Sequence, residues 1–433
     1  MAPPIRVKEK QVRGESCAGL AGLGTAISCS LAGHKVHILE AAQEIREIGA
    51  GIQILPNSSR VLQHWGLTEK LTPYMTLPRV CNFLGWKGNL ISSMDFHASE
   101  RQYPGTWYRD FHRADLQRCL AERAEELGAK MTCSARIVDV QAQEKCATAI
   151  AADGRRWVGD LVVGADGVFG NLTEVLLGRE HPPIKTGDLA YRLLLSTEEM
   201  RKDPELEGFV MDPQVNYWLG PDAHAVNYVL RGGKLFNMVL LVPDDIPEES
   251  LATTVEGNVQ EMCSLFEGWD PRRCINGGYV SDTAITTGRI PLGRGRCWAT
   301  QCMRHYHISH QGMAFEDGAV LGECLSRLPN TPNTRKTSTE FATAKRHALA
   351  VFEKCRKQRT KMVVERGNVQ QYLYHLHDGP EQQERDRQMQ MVPTPEGEAL
   401  AWRDPGLAPR LLGYDHIKDV DENWGSERES NLF

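Results

Sequence analysis

The chain has 433 residues, of which 41% are hydrophobic and 24% are charged, enough to bury a core in roughly two or three domains. Its net charge of −6 offers no basic footprint for nucleic acid or for an anionic membrane surface. No apolar run approaches the roughly 20 residues that cross a bilayer, and residues 1–13 lack the apolar centre of a secretory signal. With twelve cysteines and no such signal, we expect reduced thiols and a cytoplasmic location.

The first recognisable elements are the second half of a βαβ unit. Residues 18–31 are small and helix-compatible, they open with glycines, and Gly33 supplies a stop signal. Residues 35–40 then alternate as a strand that ends on the carboxylate of Glu40. The strand that should come before the helix is missing, because residues 7–16 are too charged for a central parallel strand.

Further elements follow in chain order. Residues 113–127 predict an amphipathic helix, and residues 160–167 predict a buried strand that runs into a glycine turn. Residues 189–242 alternate like the strands of a separate sheet, and residues 338–374 are mostly helical and basic. After Gln382 the sequence becomes polar, which predicts a surface tail.

A dinucleotide-binding fingerprint surrounds the first helix. Such a fingerprint needs glycines, so that the backbone can approach a pyrophosphate at a helix N-terminus, and an acidic residue about 20 positions later for the ribose hydroxyls. Gly19, Gly22 and Glu40 fit this plan, whereas Cys17 stands where the first glycine belongs. Taken alone, the pattern fits a glycine-rich helix packed on a sheet equally well.

Four more motifs occur along the chain. Residues 47–57 are rich in glycine and follow the strand, and residues 109–116 open the amphipathic helix. The sequence Gly-Ala-Asp-Gly stands at 164–167, and Gln-Gly-Met-Ala-Phe-Glu-Asp-Gly-Ala-Val-Leu-Gly at 311–322. Their order and spacing resemble the group A FAD-dependent aromatic monooxygenases, specifically the fungal salicylate-hydroxylase-like branch. The resemblance extends from residue 18 to the segment at 413–419.

The resemblance implies FAD as the cofactor and NAD(P)H as the co-substrate. Glu40 would hold the adenosine ribose of FAD, and Ala50 with Gly51 would line a loop on the flavin side. Arg113 matches the arginine that contacts the phosphate–ribose region, although a solvated charge at a helix start would look the same. Asp166 resembles the Asp-Gly turn that serves both FAD and NAD(P)H.

The same resemblance implies which residues surround the flavin and the substrate. Gly312 and Met313 belong to a cofactor-binding segment. Arg192 resembles a catalytic-pocket arginine, and Tyr228 resembles a pocket tyrosine of this branch. A cation could hold a phenolate and a Tyr hydroxyl could donate to it. A surface salt bridge for Arg192 and a packed strand aromatic for Tyr228 are the alternatives.

One family motif is interrupted. The expected Leu-Gly-Asp-Ala-x-His-x-x-x-Pro-Tyr, whose Asp binds the ribityl chain, is replaced at 297–307 by Cys-Trp-Ala-Thr-Gln-Cys-Met-Arg-His-Tyr-His. A reading frame shifted by two nucleotides can spell Leu-Gly-Asp-Ala-Met-His-Ala-Pro-Leu-Pro-Tyr. We therefore interpret residues 298–307 as an out-of-frame translation, from a gene-model error or a real frameshift. The charged stretch before Cys17 could be a retained intron, and residues 284–292 a third local error.

The cysteine and histidines of this segment also suggest a metal site. Cys302, His305, His307 and His310 carry ligand types that suit zinc. Their spacing is too tight for a standard structural zinc motif, so we predict no metal.

The expected fold is α/β: a discontinuous Rossmann-type FAD-binding domain, an inserted mixed-sheet substrate domain and a helical C-terminal region. The expected boundaries are 1–180 and 281–375 for the FAD-binding domain, 181–280 for the substrate domain and 376–433 for the C-terminal tail region.

The resemblance implies hydroxylation of a phenolic or polyketide-derived aromatic with NAD(P)H and O2, in secondary metabolism or aromatic catabolism. Neither a nucleic-acid partner nor a membrane span is expected. Two alternatives remain open. The chain is a flavin-deficient pseudoenzyme or binding protein if its interrupted motifs are genuine, or it is a flavin oxidase or reductase on the same fold.

Overall fold

The structure is a computed structural model that describes most of the chain. The described residues are 14–15, 18–45, 51–143, 146–167, 170–180, 184–204, 206–245, 255–256, 258–270, 285–292, 310–329, 338–397 and 400–425. Cys17, Ala50 and the interrupted motif at 298–307 lie outside these residues, as does the charged stretch at 7–13. The frameshift and intron hypotheses for those segments therefore stay predictions.

Strands and helices alternate through the first part of the chain and helices follow. The strands are β1 (Gly14–Glu15), β2 (His37–Leu39), β3 (Gly51–Ile54), β4 (Val80–Gly85), β5 (Leu90–Asp95), β6 (Arg109–His112), β7 (Lys130–Thr132), β8 (Ile137–Ala142), β9 (Ala147–Ala151), β10 (Arg156–Gly159), β11 (Ile184–Ser196), β12 (Val215–Gly220), β13 (Ala223–Leu230), β14 (Leu235–Pro243), β15 (Val255–Glu256) and β16 (Ile285–Leu292). The α-helices are α1 (Leu20–Leu31), α2 (Pro56–His64), α3 (Thr68–Leu71), α4 (Phe96–Gln102), α5 (Arg113–Glu126), α6 (Leu172–Leu177), α7 (Glu207–Met211), α8 (Val259–Leu265), α9 (His310–Ser326), α10 (Ser338–Tyr374), α11 (Pro380–Gln390), α12 (Ala408–Leu412) and α13 (His416–Trp424). Short 3-10 turns cover Thr72–Tyr74 and Met200–Lys202.

A small parallel sheet of β1, β2 and β7 lies beside α1. The prediction that no strand precedes the helix is wrong for the two residues of β1, which pair with β2 in parallel. The helix begins at Leu20, after Gly19 in extended backbone, and the following strand is β2. The predicted helix and strand are confirmed, because the glycines allow the turn and the apolar alternation directs β2 into the core.

Glycines allow α1 and α9 to pack closely against each other. A Cβ at Gly318 would lie 2.7 Å from the backbone nitrogen of Thr25, and one at Gly322 would lie 2.4 Å from the Cβ of Ser28. Both distances are far below ordinary contact, so larger residues would push the helices apart. The glycines of the 311–322 motif thus fix α9, and with it the position of the α9 N-terminus.

The large sheet has the order β15-β16-β11-β14-β13-β12-β4-β5 and is antiparallel except for the parallel pair β12–β4. Helices α7 and α8 cover one face, while α10, α11 and α12 contribute to the core on the other. Because both faces are covered, β12 and β13 are buried along their whole length. The predicted sheet at 189–242 and the α/β class are confirmed. The sheet also includes β4 and β5 from within 1–180, and the domain boundaries stay a prediction.

The predicted strand at 160–167 is wrong. These residues form no strand, apart from one bridge at Gly164, although Leu161 and Val163 are half-buried and pack on the core. An apolar run is enough to predict burial. A strand also requires a continuous ladder with a neighbouring strand, and an apolar run alone does not show whether such a ladder forms.

The predicted surface tail after Gln382 is wrong as far as residue 425. Met389 and Val420 are fully buried, and Leu400 and Leu412 are each only 3% exposed. Each short helix of this region buries one or two apolar side chains among many polar ones. The composition of the region is therefore that of a surface segment, although the region packs against the core.

Candidate functional site

A pocket lies where the large sheet meets α9, α10 and residues 400–412, which we call the roof segment. One wall is formed by β3 and the strands β11–β14, and the opposite wall by α10. The space amounts to about 1100 Å³, including the part that opens to solvent. Its lining is mostly apolar and aromatic with a few polar side chains, a composition typical of small-molecule sites.

Four residues that the sequence singled out separately line this pocket. Arg192 comes from β11 and Tyr228 from β13, while Gly51 begins β3 and Met313 lies in the first turn of α9. The expected substrate-side pair therefore shares one cavity with two of the expected flavin-side residues. The other predicted cofactor residues among the described ones do not line it.

The pleat of β13 directs three pocket residues to the same face. His224, Val226 and Tyr228 are two residues apart and all line the pocket. Side chains at this spacing point to the same side of a strand. The strand therefore fixes the position of each of these side chains along the pocket wall.

Arg192 and Tyr228 influence each other's ionisation. Burial lowers the pKa of Arg192, the nearby Tyr228 raises it and the positive charge of Arg113 lowers it further. Burial raises the pKa of the Tyr228 hydroxyl, Asp110 raises it as well, and Arg192 opposes both. At neutral pH the tyrosine is a protonated hydroxyl beside a cation, an arrangement that can donate hydrogen bonds to an anionic oxygen.

The ring of Tyr228 lies directly on the backbone of Gly51. A Cβ at residue 51 would be 2.3 Å from Cε2 and 2.7 Å from the hydroxyl oxygen of the tyrosine. The backbone N–H of Gly51 donates to Oδ1 of Asn237 at 2.8 Å, and Asn237 is the partner of Tyr228 in the β13–β14 ladder. Glycine is required here because it lets the tyrosine reach the start of β3.

A buried ionic network fixes the N-terminal part of α9. Glu316 is fully buried and accepts from Nε and Nη2 of Arg359 at 2.6 Å each, and from Nδ2 of Asn57 at 2.8 Å. Arg356 approaches the same carboxylate at 2.9 Å. Burial raises the pKa of Glu316, but the two arginines outweigh burial and lower it to about 2. Since Arg359 also donates to the carbonyl of Leu411 at 3.1 Å, the network ties α9 to the roof segment.

The predicted dinucleotide residues lie at the start of α1. Gly19 is the N-cap in extended backbone, no described side chain caps the helix, and Gly22 lies in its first turn. The Glu40 carboxylate accepts from the backbone N–H of Ala18 and, at 2.7 Å, from that of Ala42. A helix N-terminus without a side-chain cap presents backbone N–H groups to an anion.

Asp166 has a local structural role and does not reach the pocket. Its carboxylate accepts from the backbone N–H of Leu172 at 3.0 Å, at the start of α6. Burial raises the pKa of Asp166. Gly167 follows with φ of +77°, a backbone conformation that favours glycine.

These residues fit a flavin dinucleotide. The α1 N-terminus suits a pyrophosphate. Arg113, at the start of α5, has an accessible side chain although the protein around it lowers its pKa, so it is a cation that opens onto an enclosed space. At the pocket, Oδ1 of Asn57 is buried without a hydrogen-bond partner among the described residues. A Cβ at Gly312 would lie 2.7 Å from Oγ of Ser58, so only a glycine lets α9 begin so close to α2.

Sequence reasoning missed a polar cluster under the pocket. Asp110 is fully buried, and burial raises its pKa well above the ordinary value. Gln53 donates from Nε2 to Asp110 at 3.4 Å and to the Tyr108 hydroxyl, and it accepts from the Tyr217 hydroxyl at 3.3 Å. Gln53 and Asp110 are register partners of β3 and β6, and a polar residue in each of two buried strands was the available signal.

A pair of histidines was missed as well. Nδ1 of His224 and Nε2 of His375 are 2.7 Å apart, and His224 lines the pocket. Burial lowers the pKa of both, and that of His375 falls to about 4. The two-residue alternation from Tyr228 would have placed His224 on the pocket face.

The candidate zinc ligands Cys302, His305 and His307 lie outside the described residues. Within the described part of the chain, no group of three metal-ligating side chains comes together. Nor is any helix there long and apolar enough to cross a membrane.

The chain is similar to known flavoproteins in sequence and in fold. A family model described as an FAD binding domain matches residues 17–188. The chain is 35% identical to "FAD-dependent monooxygenase OpS4" of Beauveria bassiana, over 93% of this chain and 95% of that protein. It is 28% identical to a 3-hydroxybenzoate 6-hydroxylase of Polaromonas naphthalenivorans, over 82% of this chain and 86% of that protein. Among solved structures, a salicylate hydroxylase substrate complex matches with a TM-score of 0.71 at 17% identity. The match covers 96% of this chain and 98% of the chain in that structure.

Proposed function

The chain belongs to the FAD-dependent monooxygenases, and on that premise we propose that it hydroxylates a phenolic or polyketide-derived aromatic substrate with NAD(P)H and O2. One observation carries the proposal: a single pocket joins Gly51 and Met313, on the expected flavin side, to Arg192 and Tyr228. Relatives named for the hydroxylation of 3-hydroxybenzoate support an aromatic substrate.

The residues around α1 and the pocket would hold FAD. Gly19 and Gly22 would admit the pyrophosphate at the helix N-terminus, and Glu40 would take the adenosine ribose. Arg113 would approach the phosphate–ribose region, and Asp166 would support the same half of the cofactor through its turn. Once bound and reduced by NAD(P)H, FAD would supply the electrons that activate O2 for transfer of one oxygen atom to the ring.

At the flavin end of the pocket, the contacts with the ring system would come from glycine backbone and from the thioether of Met313. Gly51, together with Ala50, would line the ring system, and Gly312 with Met313 would approach it from α9. The close packing of glycines between α1 and α9 supports this placement, because it leaves the α9 N-terminus little freedom.

Arg192 and Tyr228 would activate the substrate. The cation would stabilise negative charge on a phenolic oxygen, and the tyrosine would donate to that oxygen because its raised pKa keeps the hydroxyl protonated. A ring that bears a phenolate is richer in electrons and therefore a better nucleophile towards activated oxygen. The surrounding aromatic and aliphatic walls would exclude water.

An oxygen-labelling experiment tests the proposal. Purified protein would be supplied with FAD, NAD(P)H, a panel of phenols and ¹⁸O2, and products would be analysed by mass spectrometry. We expect one labelled oxygen in the aromatic product and NAD(P)H use that depends on the phenol. Hydrogen peroxide release without a labelled product would contradict the proposal and favour the flavin oxidase.

Two pocket variants separate the roles of the residues. Arg192→Met should lower kcat/KM by roughly 10²- to 10³-fold while leaving the flavin bound. Tyr228→Phe should cost about 10-fold, since it removes one hydrogen bond and keeps the ring. Arg79→Met is the control, because Arg79 lies on the surface with 61% of its side chain exposed. An Arg192→Met enzyme as active as this control would refute the assigned role.

The proposed setting is the cytoplasm. Every cysteine among the described residues is a free thiol, and five of them are buried, which suits a reducing compartment.

A further inference from the structure

One aromatic ring near the C-terminus covers two of the buried arginines of α10. Tyr414 stands two residues beyond the roof segment and is not among the described residues that line the pocket. Cζ of Arg359 lies 3.8 Å from the centre of its ring, and Cζ of Arg356 lies 5.5 Å from it. A guanidinium is attracted to the face of an aromatic ring, and the attraction is strongest where water is excluded. Both arginines are buried, so the ring helps to hold them.

The Tyr414 ring is itself fixed by two other elements. Its hydroxyl donates to Oδ2 of Asp419, on α13, at 2.7 Å. Burial raises the pKa of that hydroxyl, so it keeps its proton at neutral pH. The backbone carbonyl of Tyr414 accepts from Nη1 of Arg60, on α2. The ring is therefore a rigid surface for the arginines to lie against.

Arg356 connects this ring to the beginning of α9. Its Nε donates to Asp317 at 2.7 Å, its Nη1 lies 2.9 Å from Oε2 of Glu316, and its Nη2 donates to Sδ of Met313 at 3.6 Å. The three partners stand at i, i+3 and i+4, which puts them on one face of α9. Every nitrogen of the guanidinium thus contacts this face. A small rotation of Arg356 would break at least one of the three contacts.

The contact with Met313 reaches the pocket. Met313 is only 7% exposed and lines the pocket from the first turn of α9. A methionine side chain is flexible, because it has three rotatable bonds, and its sulfur is a weak acceptor. Here a fully buried cation donates to that sulfur. The thioether is therefore held in one orientation at the end of the pocket that we assign to the flavin.

We propose that Tyr414 is a positioning residue for the flavin: it holds Arg356 in place, and Arg356 in turn holds the Met313 thioether against the cofactor. The inference deepens the proposed function and rests on its assignment of Gly312 and Met313 to FAD. Without the ring, the guanidinium can turn between its two carboxylates and release the sulfur. The segment after the roof thus completes a site whose other residues come earlier in the chain.

Oxidation of Met313 by added hydrogen peroxide measures this hold without any flavin chemistry. Peroxide transfers one oxygen atom to the sulfur, which gives the sulfoxide and water, and the reaction is faster when the sulfur is accessible. FAD-free protein would be treated with peroxide and its peptides followed by mass spectrometry. Met211, which is 58% exposed, is the internal reference for peroxide reactivity.

Two variants of Tyr414 separate the ring from its hydroxyl. In Tyr414→Leu, Met313 should be oxidised about 10-fold faster relative to Met211, because the attraction between the ring and Arg356 is lost. In Tyr414→Phe the ring remains, so the rate should stay within about 2-fold of that of the unmodified protein. The dissociation constant of FAD, from the change in flavin fluorescence, should follow the same order and rise by about 10-fold in Tyr414→Leu only.

A matched control distinguishes positioning from general loosening of the C-terminus. Arg327 directly follows α9 and ties it to α13 through Asp421 at 2.5 Å, and Cζ of Arg327 lies 5.0 Å from the centre of the Trp424 ring. Arg327→Gln loosens the same part of the molecule but leaves Tyr414 on Arg356. We expect it to change neither the oxidation of Met313 nor the affinity for FAD by more than about 2-fold.

Arg356→Lys tests the second link and decides the matter if Tyr414→Leu does not fold. It keeps the positive charge beside the two carboxylates but loses the planar fork that reaches the sulfur. Met313 should then be oxidised about 10-fold faster even though the Tyr414 ring is intact.

Three outcomes overturn the proposal: Met313 oxidation that is unchanged in Tyr414→Leu and Arg356→Lys, an equal increase in Arg327→Gln, or faster oxidation with an unchanged affinity for FAD. Failure of the proposed function would look different. The variants would then follow the expected order, but no phenol would stimulate NAD(P)H oxidation by the FAD-loaded protein.

Discussion

Gly51→Ala is the most informative single substitution, because the structure gives its steric cost directly. The added Cβ would lie 2.3 Å from Cε2 of Tyr228, whereas ordinary contact begins at about 3.4 Å. The ring must therefore move by about 1 Å or the start of β3 must shift. The backbone of Gly51 is also hydrogen-bonded to Asn237, and Asn237 pairs with Tyr228 in the β13–β14 ladder. Both the start of β3 and the tyrosine therefore resist that movement.

Overpacking of this kind costs about 1–3 kcal/mol of folding stability. A catalytic group displaced by about 1 Å can cost on the order of 100-fold in rate. We expect Gly51→Ala to fold with a modestly lowered midpoint in urea and to lose roughly 100-fold in kcat/KM for a phenolic substrate.

The assay compares flavin content, urea denaturation and phenol-dependent NAD(P)H oxidation. Gly208→Ala is the matched control, since a Cβ at Gly208 meets nothing within 4 Å. Adding Tyr228→Ala to Gly51→Ala should cost less stability than the sum of the two single changes, because the clash disappears with the ring, and it should not restore the activity. A Gly51→Ala enzyme with normal activity would refute the inferred contact between β3 and the tyrosine.

Three further changes test other parts of the structure. Glu316→Gln removes the carboxylate that two buried arginines share, and only Arg356 keeps another one, Asp317 at 2.7 Å. The free energy of unfolding should therefore fall by about 3–5 kcal/mol in urea denaturation; a change below about 1 kcal/mol would mean that the network adds little. Burial lowers the folded-state pKa of His375 and His416 from 6.5 to about 4, so the unfolded chain binds more protons between these values. Stability should therefore fall as the pH drops from 6.5 towards 4, by roughly 1–3 kcal/mol per histidine, and replacing both with asparagine should flatten the dependence; an unchanged slope would argue against it. Gly318→Ala places a Cβ 2.7 Å from a backbone nitrogen of α1, so thermal unfolding should occur at a lower temperature and FAD affinity should decrease; neither change is expected if the helices can separate freely.

The sequence predicted those parts of the molecule whose signals are local. The helix at 20–31, the strand that ends before Glu40 and the long helix at 338–374 all follow from apolar periodicity and glycine punctuation. The strand at 160–167 failed because pairing is not local. The predicted tail failed because residues such as Val420 are isolated apolar positions in polar surroundings.

The candidate site could be predicted only in fragments. The resemblance supplied Arg192, Tyr228, Gly51 and Met313 one by one, but their meeting in one pocket depends on tertiary packing. The side chains of α10 that line the pocket were not found, because the sequence alone does not show that this helix faces a cavity.

The polar cluster of Gln53 and Asp110 needed information of another kind. Their cross-strand register places the two side chains opposite each other, and that register appears only in the folded sheet.

The most direct test of the central claim is the flavin content of protein made from the sequence exactly as printed. The purified, folded protein would be examined for its visible absorbance, and the released cofactor would be quantified after denaturation. We expect a yellow protein with roughly one FAD per chain, whose NAD(P)H oxidation is stimulated by phenols. A folded, colourless protein that does not take up added FAD would contradict the monooxygenase assignment and support the flavin-deficient binding protein.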